Sequence, residues 1–234
     1  MLSIIIPVLN EAGTIEKTLA HLCAHCSNKK NTEIIVVDGG SKDNTLSLVN
    51  KFAQRQTAPI LSIHQAGRGR AKQMNAGAAV AKGSILYFLH ADSLPPIGFD
   101  EMIRSEIEQG KKAGCFRMKF DESHALLRFS QWFTRFNFKA CRGGDQSLFV
   151  TREIFNSLKG FNEDFEIYED CEFIGRIYDR YKFTVINDYV VTSARRYNSN
   201  GTWRLQYHFA MIHLLKWTGA SATKLHRYYL RHIS

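Results

Sequence analysis

Four short stretches of this chain are apolar almost throughout, and each is followed by a segment with helical periodicity. Leu2–Val8 (LSIIIPV), 33–37 (EIIVV), 60–64 (ILSIH) and 85–89 (ILYFL) are short enough for strands and too apolar for strands with one wet face. Between them Ile15, Leu19, Leu22 and Cys26 recur at helical spacing, then Leu46, Val49 and Ala53, then Ala71, Met74 and Ala78, a run stopped by Gly83. Strands separated by crossover helices of this length predict an α/β fold: a mostly parallel, Rossmann-like sheet covered by helices on both faces.

Past Asp92, Pro95 and Pro96 open a helix bearing Phe99, Ile103 and Ile107, and the regular alternation then fades. A strand is expected over 113–120, an amphipathic helix over 124–138, a strand over 146–150 and a helix over 169–181. No linker composition and no internal repeat divides the chain. The expectation is one domain over 1–234, with a nucleotide-binding half, 1–110, and a second half, 111–234, that completes the site.

Charge narrows the partners. The net charge is +9, and residues 1–110 carry 11 Lys/Arg against 10 Asp/Glu whereas 111–234 carry 20 against 12. Positions 189–234 hold seven Lys/Arg and no acid, a tail that attracts phosphate groups, an acidic membrane surface or nucleic acid, or is simply a solvated basic face. There is no zinc-finger spacing, no aromatic signature of a single-strand-binding sheet and no basic helix with heptads, so no nucleic-acid partner is expected. No apolar stretch approaches the roughly 18 residues of a spanning helix, and MLSIIIP lacks the marks of a signal peptide; the expectation is a cytoplasmic protein. Five Cys, an odd number, fit a reducing compartment, and the Cys23/Cys26 pair reads as small buried hydrophobes since no second close pair completes a metal site.

Three strand ends carry polar clusters: Asn10 with Glu11, Asp38 with Ser41, and His90 with Asp92. In open α/β sheets ligands bind beyond the carboxyl ends of the strands, where loops converge and helix N-termini point at them. One acid at such a place is often a helix cap; three such ends together point to a cleft. Neither G-x-G-x-x-G nor G-x-x-x-x-G-K-S/T occurs, which argues against a dinucleotide oxidoreductase and a P-loop phosphotransferase.

Taken in order and spacing, IIIPVLNEAGTIEKTL, IIVVDGGSKDNT, GRAKQMNAGAAVAKG, ILYFLHADS and IYEDCEF resemble a family-2 glycosyltransferase of the GT-A fold. HADSLPP, GDQSLFV and TSARRY are more narrowly similar to the bacterial subgroup labelled arsenosugar biosynthesis glycosyltransferases. The resemblance implies that Pro7, Glu11 and Asp38 hold the base and ribose of a nucleotide-diphosphate sugar, with carboxylates accepting from ribose hydroxyls and a base N–H. It places Arg70, with Arg68 beside it, at the nucleotide, although an exposed basic loop would look the same. Asp92 matches the second acid of a DXD-like motif that holds a divalent cation, Mn or Mg, against the diphosphate; His90 replaces the first acid and is either a ligand or a packed strand-end residue. Asp170 matches the base that takes the proton of the incoming hydroxyl, with Glu169 next to it; both acids would also suit a helix N-terminus. Asp145, Gln146 and Trp203 are implied on the acceptor side, and Arg196, with Arg195, in a loop that grips the diphosphate.

The activity implied is transfer of a sugar from a nucleotide-sugar donor to an acceptor hydroxyl, with inversion, the acceptor being a small molecule or lipid-linked. A sugar nucleotidyltransferase is the second enzyme reading, though PVLNEAG stands where those proteins carry a Gly-rich loop with Arg and Lys. The tail TWRLQYHFAMIHLLKWTG either lies on an anionic membrane at the inner face of the cell membrane or packs on the domain as a helix.

Overall fold

The side chains of β1 (Leu2–Val8) point alternately to the two faces of the sheet, and both faces are dry. In the computed structural model Leu2, Ile4 and Ile6 enter one hydrophobic core and Ile5 enters the other, which is why this strand tolerates no polar alternation. The structure describes residues 1–122, 124–143 and 146–233, and the side chains of all of these except 199 and 200.

β2 (Thr32–Asp38), β3 (Ile60–Gln65) and β4 (Ile85–Phe88) join β1 in parallel, in the order β3-β2-β1-β4. β3 is the edge, and its Ile60 is 64% exposed, so it alone of the four is wet. The crossovers are α1 (Ile15–His25), α2 (Thr45–Arg55) and α3 (Arg70–Val80). α3 lies so close to the sheet that a Cβ on Gly77 would stand 2.5 Å from Ile5 Cγ2. Cys23 and Cys26 are free, buried thiols of the core, and burial pushes Cys26 up to about 11.

The second half departs from a purely parallel plan. After β5 (Ser93–Leu94) and α4 (Phe99–Glu108), β6 (Ala113–Phe120), β7 (Leu148–Thr151) and β8 (Thr184–Thr192) extend the sheet to β3-β2-β1-β4-β7-β6-β8-β5. β7 runs antiparallel to both β4 and β6, β8 is parallel to β6, and β5 pairs antiparallel with β8. The sheet is therefore mixed, mostly parallel, and flanked by helices on both faces.

The expected helix over 124–138 is shorter: α5 (Ala125–Trp132) passes into one 3-10 turn at Phe133–Arg135 and ends. Thr134 Oγ1 donates back to Gln131 O and accepts from Met118 N of β6 at 3.1 Å, while buried Arg142 donates to the carbonyls of Thr134 and Phe136. These bonds tie the turn to the sheet and outcompete further helix. α6 (Arg152–Ser157), α7 (Glu169–Arg180), α8 (Arg195–Asn200), α9 (Thr202–Trp217) and α10 (Ala222–His232) complete the chain. Among the described residues no helix is long and apolar enough to cross a membrane.

Candidate active site

Parallel register brings Val8 opposite Asp38, so the loops after β1 and β2 leave the same edge of the sheet side by side. Hydrogen bonds fuse them. Asn10 N donates to Ser41 Oγ at 2.9 Å, Lys42 N to Asn10 Oδ1 at 2.8 Å, Glu11 N to Thr45 Oγ1 at 2.8 Å and Ala12 N to Asp43 Oδ2 at 3.1 Å. Beneath them buried Gln73 of α3 donates through Nε2 to both Val8 O and Val37 O, at 2.8 Å each. Pro7 is buried within β1 opposite Val37. Asp38, 1% exposed, accepts from Gly40 N at 2.9 Å and Ser41 N at 3.0 Å, so its carboxylate shapes its own turn.

A second cluster forms where the end of β4 meets the N-termini of α3 and α7. Arg70 Nε lies 2.9 Å from Glu169 Oε1, and His90 Nε2 lies 3.5 Å from Asp170 Oδ2. Despite that short distance Glu169 Oε1 accepts no hydrogen bond, so the pairing with Arg70 is one of charge without hydrogen-bond alignment. Tyr168, at φ +70°, turns the chain into α7 and leaves the two acids as its first residues. Burial pushes the Glu169 carboxyl up to about 7, opposed by the Arg70 guanidinium and reinforced by the charge of Asp170.

A cavity of about 660 Å³ opens beside this cluster. Its wall combines a charged set, Arg70, Asp92, Glu169, Asp170 and Arg196, with an apolar set that includes Met118, Phe120, Phe133, Ile167, Phe209 and Ile212. Gln146, also in the wall, is held by Arg142 Nη1, which donates to its Oε1 at 2.8 Å, and by its own Nε2 bond to Cys141 O at 2.8 Å. α8 spans the charged region: Arg195 Nη2 reaches Glu11 Oε2 at 3.0 Å, and Arg196 donates to the Tyr229 hydroxyl of α10 with its guanidinium 5.7 Å from that ring.

The sequence candidates Arg70, Asp92, Gln146, Asp170 and Arg196 thus share one cavity wall, and His90 adjoins it through Asp170. Among the described residues Pro7, Glu11, Asp38 and Trp203 do not line it; Glu11 is linked to it through α8, and Trp203 is 73% exposed on α9. Asp145 lies outside the described residues, and Arg68 is exposed. Sequence reasoning missed buried Arg142 and much of the aromatic part of the wall: Phe120 of β6, Phe133 of the 3-10 turn after α5, Phe209 of α9 and Tyr229 of α10 come from segments with no motif. Among the described residues no three His, Cys, Asp or Glu side chains form a cage for a metal ion.

A model of glycosyl transferase family 2 matches residues 3–184. A probable glycosyltransferase of Bacillus subtilis, YdaM, is 28% identical over 195 residues, covering 76% of this chain and 46% of its own. Glycosyltransferase AglE of Haloferax volcanii is 34% identical over 93 residues, 40% of this chain and 31% of its own. The chain therefore matches less than half the length of these curated relatives. Among solved structures, the mannosyltransferase PcManGT from Pyrobaculum calidifontis, in complex with GDP-Man and Mn2+, superposes with a TM-score of 0.74 at 21% identity, covering 98% of this chain and 69% of that one. TarS 1–349 of S. aureus in complex with UDP gives 0.69 at 18% identity, covering 82% and 60%. These two likenesses show the GT-A-like fold, and the matched model, which takes in most of the chain, shows the family: the chain belongs to glycosyl transferase family 2.

Proposed function

We propose that the protein transfers a glycosyl unit from a nucleotide-diphosphate sugar to an acceptor hydroxyl, with inversion at the anomeric carbon. The observation that carries this reading is one cavity wall holding both kinds of group the reaction needs: guanidinium groups for a diphosphate, and a carboxylate for a proton. Arg70 and Arg196 hold the donor's phosphates by charge-assisted hydrogen bonds. The fused loops carrying Pro7, Glu11 and Asp38 take the base and ribose. Asp170 accepts the proton of the acceptor hydroxyl as that oxygen attacks the anomeric carbon and the bond to the nucleoside diphosphate breaks. His90, facing Asp170 at 3.5 Å, orients that carboxylate and stabilises its charge when protonated. Gln146 orients the acceptor; residues 1–110 supply the nucleotide-sugar side and 111–234 the acceptor side, with Arg196 of the second half reaching back to the donor's phosphates.

A divalent cation, Mn or Mg, fits this wall through Asp92. Such hard ions take oxygen ligands and complete their shell with substrate phosphates rather than needing a full protein cage. Asp92 would hold it, while the His90 ring is engaged with Asp170. When bound, the cation would offset the negative charge that develops on the departing nucleoside diphosphate. PcManGT with GDP-Man and Mn2+, and TarS with UDP-GlcNAc, support the choice of ligands. The narrower resemblance to the arsenosugar subgroup rests on HADSLPP, GDQSLFV and TSARRY alone. The location that goes with this reading is the cytoplasm, with peripheral contact at the inner face of the cell membrane through the basic C-terminal segment.

Asp170→Asn tests the assignment. The variant is expected to keep donor-induced thermal stabilisation while release of nucleoside diphosphate stops. Normal turnover in the variant would remove Asp170 from its role. Release of pyrophosphate from a nucleoside triphosphate and a sugar phosphate would instead establish the nucleotidyltransferase reading.

A further inference from the structure

α9 breaks the usual rule for a helix packed on a domain. Its inner side is apolar as expected, with Leu205 and Ile212 buried and Phe209 and Leu215 packed against the core. Its outer side is apolar too. Trp203, Tyr207, Leu214 and Trp217 are 73%, 60%, 47% and 83% exposed, and their spacing places all four on one stripe along the helix. Four large apolar side chains in a row facing water mark a surface made to be covered.

Charge identifies the cover. From 189 to the end the chain has seven Lys/Arg and no acid. α10 runs antiparallel to α9, joined by His208 Nδ1 to the Tyr228 hydroxyl at 2.8 Å and by Arg204 Nη2 to His232 O at 3.1 Å. It exposes Lys224, Arg227 and Arg231 at i, i+3 and i+7, one basic face. Tryptophan and tyrosine rings beside Lys and Arg, without carboxylates, suit the interface of an anionic bilayer, where the rings sit at headgroup level and the cations meet lipid phosphates. A second copy would bring like charge against like. The stripe is also continuous with the cavity: Ala210, on the same face of α9, lines it, and so does Phe133 of the neighbouring 3-10 turn, itself 38% exposed.

We propose that the outer stripe of α9, with the basic face of α10, docks on an anionic lipid bilayer. Resting on the glycosyltransferase reading above, the acceptor is then an amphiphile whose hydrocarbon chain stays in the bilayer while its hydroxyl head enters the cavity past Phe133 and Ala210.

The test is co-sedimentation of the whole protein with phosphatidylcholine vesicles, with and without phosphatidylglycerol, in the wild type and in a Tyr207→Ala/Trp217→Ala variant. The wild type is expected on the anionic vesicles, with partitioning about tenfold weaker on the neutral ones and about tenfold weaker for the variant. Thermal stabilisation by a nucleotide sugar serves as the second readout and is expected to be equal in both proteins. Vesicle binding without donor stabilisation would leave the docking face intact and refute the enzyme reading; donor stabilisation without vesicle binding would do the reverse. The docking proposal is also overturned if the variant binds vesicles as the wild type does, which would make the attraction mere charge. Two other results overturn it as well: a dimer that the variant abolishes, and RNA binding that depends on the same two rings.

Discussion

Glu169 offers a prediction whose sign separates two opposing forces. Burial at 1% exposure raises its carboxyl, whereas the Arg70 guanidinium 2.9 Å away lowers it, and burial wins, from 4.5 to about 7. Between those values the folded protein holds a proton that the unfolded chain has lost, so stability falls as pH rises through that window. Below it the group contributes nothing; above it the full cost is present. At about 1.36 kcal/mol per pH unit the cost reaches roughly 3 kcal/mol. Glu169→Gln cannot titrate and loses that slope. Urea unfolding of both proteins at about pH 5 and about pH 8 gives the free energies by linear extrapolation. The wild type should lose roughly 3 kcal/mol more than the variant between the two conditions. Parallel behaviour would refute the account, and a wild type that gains relative to the variant would show that the Arg70 charge, not burial, controls the group.

Two further substitutions test the frame of the site. Gln73→Leu removes the bridge across Val8 O and Val37 O, where Val8 O keeps the bond from Gly39 N; the expected loss is about 1–2 kcal/mol, read by thermal or urea unfolding, and an unchanged protein would mean the bridge carries no weight. Arg195→Ala breaks a half-exposed pair with Glu11 and should change unfolding by less than about 1 kcal/mol; a loss several times larger would show that α8 holds the fold together rather than only resting on the loop after β1.

The first half of the fold is legible in the sequence because parallel strands buried on both faces have no polar positions, and the crossovers carry a clean apolar stripe. β8 is not legible for the opposite reason. Asn187, Asp188 and exposed Tyr189 interrupt it, and its pairing with β6 slips between Phe116 and Arg117, so no period-2 pattern survives along β8. α5 ends early because Thr134 and Arg142 draw the next turn to the sheet, a tertiary effect with no local signal. In α9 apolar residues on both sides of the helix cancel the periodicity that would have betrayed its two faces. Arg70, Asp92, Asp170 and Arg196, far apart in sequence, do meet in one cavity wall, because strand ends and helix starts on one edge of a sheet must converge. Which of the adjacent acids Glu169 and Asp170 would be the more buried could not be read, since neighbours on a helix point about 100° apart and the sequence does not fix which faces inward. Asp38 likewise looks like a free strand-end carboxylate until its bonds to the turn are seen.

The central claim is that the cavity wall bearing Arg70, Asp92, Asp170 and Arg196 receives a nucleotide-diphosphate sugar with a divalent cation. Thermal unfolding of the wild type and Asp92→Ala against uridine and guanosine diphosphate sugars, with and without Mn, reads this directly, because a ligand that binds only the folded state raises its melting temperature. The account predicts a rise with at least one donor that requires the cation and vanishes in Asp92→Ala. No rise with any of these donors, or a rise of equal size in Asp92→Ala, would contradict it.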